Sequence, residues 1–163
     1  MAARMNLTRV AFAILLAALF AGCESIQPGT GANPAARTKM LGAIALEPKG
    51  AYFVGRRYFK EDYKFWGYVR RSGEPWSSAK LVMLNENTKI APDREGTKLG
   101  TDNDYEYKLT GTFSGETVYE PASNGFYPEF VLKSAELLTT TPAPIYREAG
   151  ATNPERRIIA RTY

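Results

Sequence analysis

Alternating apolar and polar positions in the middle of the chain predict β-strands. Short runs of this kind are separated by sequences rich in Gly, Pro or charged residues. The segment YEYKLTGTF (105–113) alternates most regularly, with Leu109 and Phe113 on the same face as its tyrosines. The predicted strands are 51–59, 63–71, 79–85, 105–113, 116–120 and 126–138.

Polar segments between these strands predict the turns. KED (60–62) predicts a three-residue hairpin loop, Ser114–Gly115 a tight turn, and the stretch 86–104 a long surface loop. No segment has helical periodicity over three turns, although SSAKLVMLNE leaves room for a short helix at its start. We therefore predict an all-β fold, a single small antiparallel barrel or sandwich that is OB-like or SH3-like by analogy of its strand pattern. Mid-strand glycines such as Gly55 are expected to relieve crowding at bends.

The beginning of the chain has the features of an export signal. Arg4 and Arg9 precede the apolar run Val10–Ala21, whose 12 residues are fewer than the about 20 that a membrane-spanning helix needs. The segment Phe20-Ala21-Gly22-Cys23 resembles the lipobox of bacterial lipoproteins, in which the signal is cleaved before an acylated cysteine. The resemblance implies a signal peptide at 1–22, Cys23 as the lipidation site, and a membrane anchor made of lipid.

The chain's single cysteine agrees with lipidation, since a lone thiol cannot form an internal disulfide. The alternatives are an ordinary secretory signal with a chance cysteine, or an uncleaved N-terminal anchor. In enterobacterial lipoproteins an Asp directly after the cysteine favours inner-membrane retention, whereas Glu24 stands here. We therefore expect a lipid-anchored protein of the cell envelope, on the outer membrane and facing the periplasm.

Composition divides the remainder of the chain into three parts. Residues 23–39 are rich in Gly, Pro and Ala and predict a flexible, disordered tether. Residues 40–138 form the predicted β domain. Residues 139–163 contain three prolines and predict a disordered Pro-rich tail, whose last residues, RRIIARTY, are either a short closing strand or a loose basic end.

Charge and composition restrict the chemistry. The net charge of +4 falls to +2 when Arg4 and Arg9 leave with the signal peptide, which argues against a nucleic-acid partner. The sequence contains no histidine and no Gly-rich phosphate loop, so a Ser-His-Asp triad and a P-loop are excluded. The acidic run DNDYE (102–106) predicts a solvated loop rather than a calcium site. No metal or cofactor is expected.

Basic and aromatic residues interleave in GRRYFKEDYKFWGYVRR (55–71), the most distinctive segment of the chain. Strand alternation places one set of side chains on an exposed face, opposite a core set that includes Phe65 and Val69. Such a face stacks on sugars or bases and neutralises phosphates. The alternative is cross-strand packing of arginine on aromatic rings, with the guanidiniums in water. The candidate binding residues are Arg56, Arg57, Lys64, Trp66, Tyr68 and Arg70.

These observations predict a non-enzymatic envelope binding or scaffolding module whose partner is an envelope protein or a glycan. One alternative is a small cell-wall hydrolase that uses two carboxylates. Its candidate carboxylates are Glu61, Asp62, Glu116, Glu120 and Glu129. A second alternative is an OB-like nucleic-acid-binding module, against which export and the small net charge argue.

Overall fold

The computed structural model describes residues 33–96 and 98–163. The predicted signal peptide, Cys23 and most of the predicted tether lie outside the described residues. The elements are helix α1 (Pro34–Ala45), β1 (Phe53–Arg57), β2 (Gly67–Arg71), a 3-10 turn (Trp76–Ser78), β3 (Lys80–Asn85), the short helix α2 (Pro92–Glu95), β4 (Glu106–Glu120) and β5 (Gly125–Thr139).

The five strands form a closed barrel in the order β1-β2-β3-β5-β4. The prediction of a single small all-β domain, either a barrel or a sandwich, is confirmed, and the structure shows that it is a barrel. It is not wholly antiparallel, because β3 and β5 run parallel where Met83–Asn85 pair with Glu129–Val131. A five-stranded Greek-key barrel closed in this order is OB-like.

The barrel interior is filled by apolar side chains from all five strands and from the loop before β2. Rings of Phe53, Phe113 and Phe130 pack edge to face, with centroids 5.1–5.7 Å apart. Gly55 leaves room for side chains of the interior, since a Cβ there would lie 2.5 Å from Leu109 of β4 and 2.6 Å from the ring of Trp66. The interior core consists of Phe53, Trp66, Val69, Val82, Ala91, Tyr107, Leu109, Phe130 and Leu132.

A second core lies outside the barrel, where α1 and the C-terminal segment cover β1, β2 and β3. We call residues 140–163 the C-terminal strap. Ile145, Tyr146 and Ala160 of the strap are buried against barrel residues that include Tyr68. The prediction of a disordered tail is therefore wrong. Prolines prevent the strap from forming a long strand, yet an extended chain can still bury side chains. Within the strap, Tyr146 and Thr162 form an isolated antiparallel β-bridge.

Helix α1 begins at Pro34, inside the predicted tether 23–39, so the predicted end of the tether is wrong. Asn33 caps the helix by accepting a hydrogen bond from the Ala35 amide at 2.9 Å, and Pro34 occupies the first turn. Met40 and Ile44 are the helix residues buried against the barrel. The helix has only this narrow apolar contact, so its sequence lacks the periodicity that would have predicted it.

Two predicted turns are also corrected. The loop between β1 and β2 spans residues 58–66 rather than three residues, because its aromatic side chains pack on the outer core instead of extending the strands. Ser114–Gly115 does not end a strand. β4 continues through an irregularity between Phe113 and Thr117, where Gly115 has a φ of 91°, and pairs with β5 up to Glu120.

Candidate functional site

The predicted aromatic-basic face is buried. Arg56, Arg57, Trp66, Tyr68 and Arg70 are each 4 % exposed or less, and of the six candidates only Lys64 is exposed. Both faces of β2 are covered, one by the barrel interior and the other by the strap with α1, and the predicted core residues Phe65 and Val69 lie in different cores. The expectation of an exposed binding face on this strand is therefore wrong.

Trp66 and Tyr68 do not share a face. The ring of Trp66 belongs to the barrel interior, whereas Tyr68 belongs to the outer core. The alternation changes phase between them because β2 begins only at Gly67 and Trp66 still belongs to the preceding loop.

Arg57 lies at the centre of a buried charge network. Its Nε donates to Asp102 at 3.1 Å, one terminal nitrogen donates to Asp93 at 2.5 Å, and the other donates to the carbonyl of Trp66 at 2.8 Å. Tyr107 donates its hydroxyl to Asp102 at 3.0 Å. Burial raises the pKa of Asp102 against the opposing effect of the guanidinium. The carboxylates of Asp93 and Asp102 thus share the guanidinium of Arg57 as their counter-charge, and all three side chains are buried.

The acidic run 102–106, predicted as a solvated loop, instead supplies partners to both buried arginines of β1. Asp102 pairs with Arg57, and the carboxylates of Asp104 and Glu106 pair with Arg56 at 3.0 and 2.6 Å. Sequence reasoning missed this role because the partners are 45 to 50 residues apart in the chain. No group of three residues able to hold a metal ion occurs among residues 33–96 and 98–163.

Trp76 carries two stacked guanidiniums. The guanidinium carbon of Arg70 lies 4.6 Å from the ring centroid and that of Arg56 lies 5.3 Å from it. Arg70 also pairs with Glu47, which follows α1 and so ties the helix to the barrel. The alternative of arginine packing on aromatic rings thus fits the structure, except that these guanidiniums are buried rather than in water.

The strap closes the outer face of β2 and β3. Tyr58 and Tyr63 donate their hydroxyls to the carbonyl of Ile158, and Tyr68 donates to the carbonyl of Ala160. OB-type barrels bind oligonucleotides and oligosaccharides on the face of strands 2 and 3 and in the loops after strands 1 and 4. In this chain the strap occupies that face, so no ligand reaches it without displacing the strap.

Burial shifts the titration of groups within and beneath the strap. It raises the pKa of Tyr63 to about 12, and it also raises the pKa values of Tyr58, Tyr68 and Tyr146 above the ordinary value. Lys60 donates to the carbonyls of Ala151 and Asn153 and faces no carboxylate in these contacts. Burial, with a smaller contribution from Arg156, lowers the pKa of Lys60 to about 8.

Among residues 33–96 and 98–163, the most exposed aromatic surface lies on the outer half of the β4–β5 hairpin. We call residues 113–128 the hairpin arm. Tyr119 and Phe126 pair across its strands, their ring centroids are 5.1 Å apart, and they are 47 and 69 % exposed. The sequence signal for this surface is the pair of aromatic residues that flanks the turn PASNG (121–125).

Several hydrogen bonds hold the tip of the hairpin arm in one shape. Tyr119 donates to the side chain of Asn124 at 3.0 Å, and the carboxylate of Glu120 accepts from the amide of Ser123 at 2.6 Å. At the base, Tyr127 packs on Phe65 with ring centroids 4.2 Å apart. The exposed pair therefore stands on a fixed support.

Three of the carboxylates considered for a hydrolase have separate structural partners. Asp62 pairs with Arg157 at 2.5 Å, and Glu129 accepts from Asn85 at 3.0 Å. Glu120 caps the tip of the hairpin arm. The two others, Glu61 and Glu116, are exposed. Asp62 and Glu120 both lie near enough to Tyr63 to raise its pKa.

No protein-family model, curated protein or solved structure matches the chain. Within the described part of the chain, no helix is long and apolar enough to cross a membrane.

Proposed function

We propose that this protein is a lipid-anchored envelope protein whose barrel is a non-enzymatic binding or scaffolding module, and that the hairpin arm makes the contact. The observation that carries this proposal is the exposed, stacked pair of Tyr119 and Phe126 on a hydrogen-bonded tip. This contact surface replaces the buried aromatic-basic face.

Large aromatic side chains dominate the energetics of protein interfaces, where a few residues supply most of the binding free energy. The fixed tip of the hairpin arm favours binding because little conformational entropy remains to be lost on association. A rigid scaffold that holds an exposed aromatic pair in a fixed position is the arrangement expected of a contact surface.

The charge of the hairpin arm favours a protein or glycan partner over a nucleic acid. Residues 113–128 contain no Lys or Arg, and their only charged residues are Glu116 and Glu120. Binding to a phosphate backbone depends on cations, which this surface does not provide. Aromatic rings, by contrast, stack on sugars and pack on apolar protein surfaces.

The anchor proposed at Cys23 places the barrel close to the membrane. Cys23 and Asn33, the cap of α1, are ten positions apart in the sequence, and a chain of this length spans at most about 35 Å. Acyl chains on the cysteine would hold the module at the bilayer at about 0.8 kcal/mol per buried CH₂.

The anchor is tested by Cys23→Ser. We expect the variant to lose acylation and either to accumulate as an uncleaved precursor or to be mislocalised, because acylation of the thiol precedes cleavage in the lipoproteins that the motif resembles. Metabolic labelling with a fatty acid and membrane fractionation measure both effects. A variant that is processed and fractionates with membranes as before would contradict the lipoprotein assignment.

The hairpin arm is tested by replacing Tyr119 and Phe126 together with alanine in an unlipidated chain that begins at Glu24. We expect association with isolated envelopes to weaken at least about tenfold, since aromatic hot spots contribute about 2 kcal/mol or more. The free energy of unfolding should change by less than about 1 kcal/mol because both rings are exposed. Cosedimentation measures the association.

The matched control is the double alanine variant of Leu137 and Leu138, two exposed residues at the other end of β5. It should bind envelopes like the unmodified chain. Separate assays with purified wall glycan and with delipidated envelope protein distinguish the two partner classes. Unchanged cosedimentation of the Tyr119/Phe126 variant would remove the hairpin arm as the contact surface.

A further inference from the structure

The barrel wall is incomplete at the end where β1 begins. Pairing of β1 with β4 ends at Phe53 and Leu109, whereas β4 continues to Glu120. In the described part of the chain, β4 beyond Leu109 pairs with no strand on its β1 side, and a recess of about 370 Å³ lies there. The recess is lined by Ala51, Phe53, Arg71, Gly111, Thr112 and Phe113.

A second recess of about 120 Å³ adjoins the first, since both are lined by Phe53, Arg71 and Phe113. It extends towards Glu74 and Lys80, close to the end of β2 and the start of β3. We call the two recesses together the barrel mouth. Mouths of β-barrels are frequent ligand sites because they are concave and combine apolar walls with a few polar groups.

The strand register directs two cations towards the barrel mouth. Arg71 pairs across the strands with Phe53, and Lys80 pairs with Val69. Directly paired residues point to the same side of a sheet, and Phe53 and Val69 belong to the interior core. Arg71 and Lys80 therefore lie on the interior side at the rim of the barrel. Both are exposed because β2 ends at Arg71 and β3 begins at Lys80.

Both cations pack on aromatic rings and keep hydrogen-bond donors available. The guanidinium carbon of Arg71 lies 5.4 Å from the ring centroid of Phe53, and Nζ of Lys80 lies 5.2 Å from that of Phe113. A guanidinium stacked on a ring keeps its N–H donors directed outwards in its own plane. Within residues 33–96 and 98–163, neither side chain forms an ion pair. The two side chains are therefore suited to bind an anion.

The charges that line the barrel mouth favour a ligand with one negative charge. Arg71 and Lys80 contribute two positive charges and Glu74 one negative charge, which leaves +1. Arg70 also lines the smaller recess, but Glu47 matches its charge. A carboxylate balances the remaining charge, whereas a phosphate monoester, at about −1.5 to −2 near pH 7, exceeds it. A carboxylate also accepts two parallel hydrogen bonds from one guanidinium.

The larger recess offers an apolar surface beside these cations. Its lining side chains are apolar apart from those of Arg71 and Thr112. The ring of Phe113 is half-buried, and Phe53 packs against it edge to face with centroids 5.7 Å apart. The volume of about 370 Å³ is about twelve times the roughly 30 Å³ that a water molecule occupies in the liquid, so it accommodates a group the size of a ring.

We propose that the barrel mouth binds a small organic monocarboxylate, whose carboxylate accepts hydrogen bonds from Arg71 and Lys80 and whose apolar group packs on Phe113. The barrel mouth is separate from the Tyr119 and Phe126 pair that carries the proposed envelope contact, so either proposal can fail without the other.

The test is an NMR titration that follows the backbone amide resonances of Arg71, Lys80 and residues 111–113. 3-Phenylpropionate carries both the carboxylate and a ring, 3-phenylpropionamide has the ring without the charge, and acetate has the charge without the ring. We expect 3-phenylpropionate to shift these resonances saturably, with a dissociation constant of about 1 mM for a ligand of this size. The amide and acetate should bind at least about tenfold more weakly.

The cations are tested by replacing Arg71 and Lys80 together with methionine. Binding of 3-phenylpropionate should weaken at least about tenfold, since hydrogen bonds between charged groups are lost. The protein should remain folded because both side chains are exposed. The matched control replaces Lys39 and Lys133, two exposed lysines that do not line the barrel mouth, with methionine. It removes the same total charge and should bind like the unmodified chain.

Four results would overturn the proposal. The first is that 3-phenylpropionate shifts none of these resonances saturably. The second is that the amide or acetate binds as tightly as 3-phenylpropionate. The third is that the Arg71/Lys80 variant binds 3-phenylpropionate as tightly as the Lys39/Lys133 variant. The fourth is tighter binding of phenyl phosphate, whose larger charge the lining residues do not balance.

Discussion

Arg57→Met is expected to destabilise the fold by about 3–5 kcal/mol, because it removes the cation that Asp93 and Asp102 share in the barrel. Methionine keeps most of the side-chain length but leaves two buried carboxylates without a counter-charge. Denaturant unfolding followed by circular dichroism measures the change. The loss should be smaller near pH 5 than near pH 8, since burial raises the pKa of Asp102 and protonation neutralises that carboxyl once its cation is gone.

Arg71→Met is the matched control for this prediction. Arg71 lies on β2, is exposed and stacks on Phe53, so its loss should change the free energy of unfolding by no more than about 0.5 kcal/mol. Adding Asp93→Asn and Asp102→Asn to Arg57→Met should recover more than about 1 kcal/mol by removing the unpaired charges. A loss below about 1 kcal/mol in Arg57→Met would show that the network does not depend on the guanidinium.

The second large effect is steep unfolding at alkaline pH. Burial raises the pKa of five tyrosines above the ordinary value of 10.0. They are Tyr58, Tyr63, Tyr68, Tyr107 and Tyr146. Their stabilising effect is complete below pH 10 and is lost as the pH rises towards the folded-state values, because only the unfolded chain releases these protons.

Each of these tyrosines lowers the free energy of unfolding by about 1.4 kcal/mol per pH unit above about pH 10. Five together are enough to unfold a domain of ordinary stability, about 5–15 kcal/mol, within about one to two pH units. Lys60 instead raises the free energy of unfolding as the pH increases from about 8 to 10.5, since the unfolded chain binds the Lys60 proton more tightly than the folded chain does. We therefore expect no loss from these groups below pH 10 and a sharp loss above it.

The measurement combines the ultraviolet absorbance of tyrosinate with circular dichroism during a pH titration. The five buried tyrosines should ionise together with the loss of structure. Tyr68→Phe should reduce the slope of stability against pH above pH 10 by about one fifth, whereas Tyr119→Phe, at an exposed ring, should leave that slope unchanged. Ionisation of these five residues with circular dichroism unchanged would contradict the prediction.

The candidate contact surface could be predicted only in part. PASNG predicted the turn at the tip of the hairpin arm, and the flanking residues were assigned to strands. The arm itself was missed because Ser114–Gly115 has the composition of a tight turn. In the barrel, β4 pairs with β5 on both sides of Ser114–Gly115 and stays continuous. The cross-strand hydrogen bonds therefore outweigh the local preference for a turn.

Local patterning by itself determined the all-β class and the approximate positions of the strands, but it did not distinguish a barrel from a sandwich. The apolar run at 79–85 predicted β3 closely, and alternation at 105–113 predicted the first half of β4, because a strand with one face towards a core repeats every two residues. Only the tertiary structure decided what covers each face. Both sides of β2 are buried because the strap and α1, distant in sequence, pack on its outer side. Arg56, Arg57 and Arg70 are buried rather than exposed to water because carboxylates 23 to 50 residues away in the sequence neutralise them. Alternation carries no information about such distant partners.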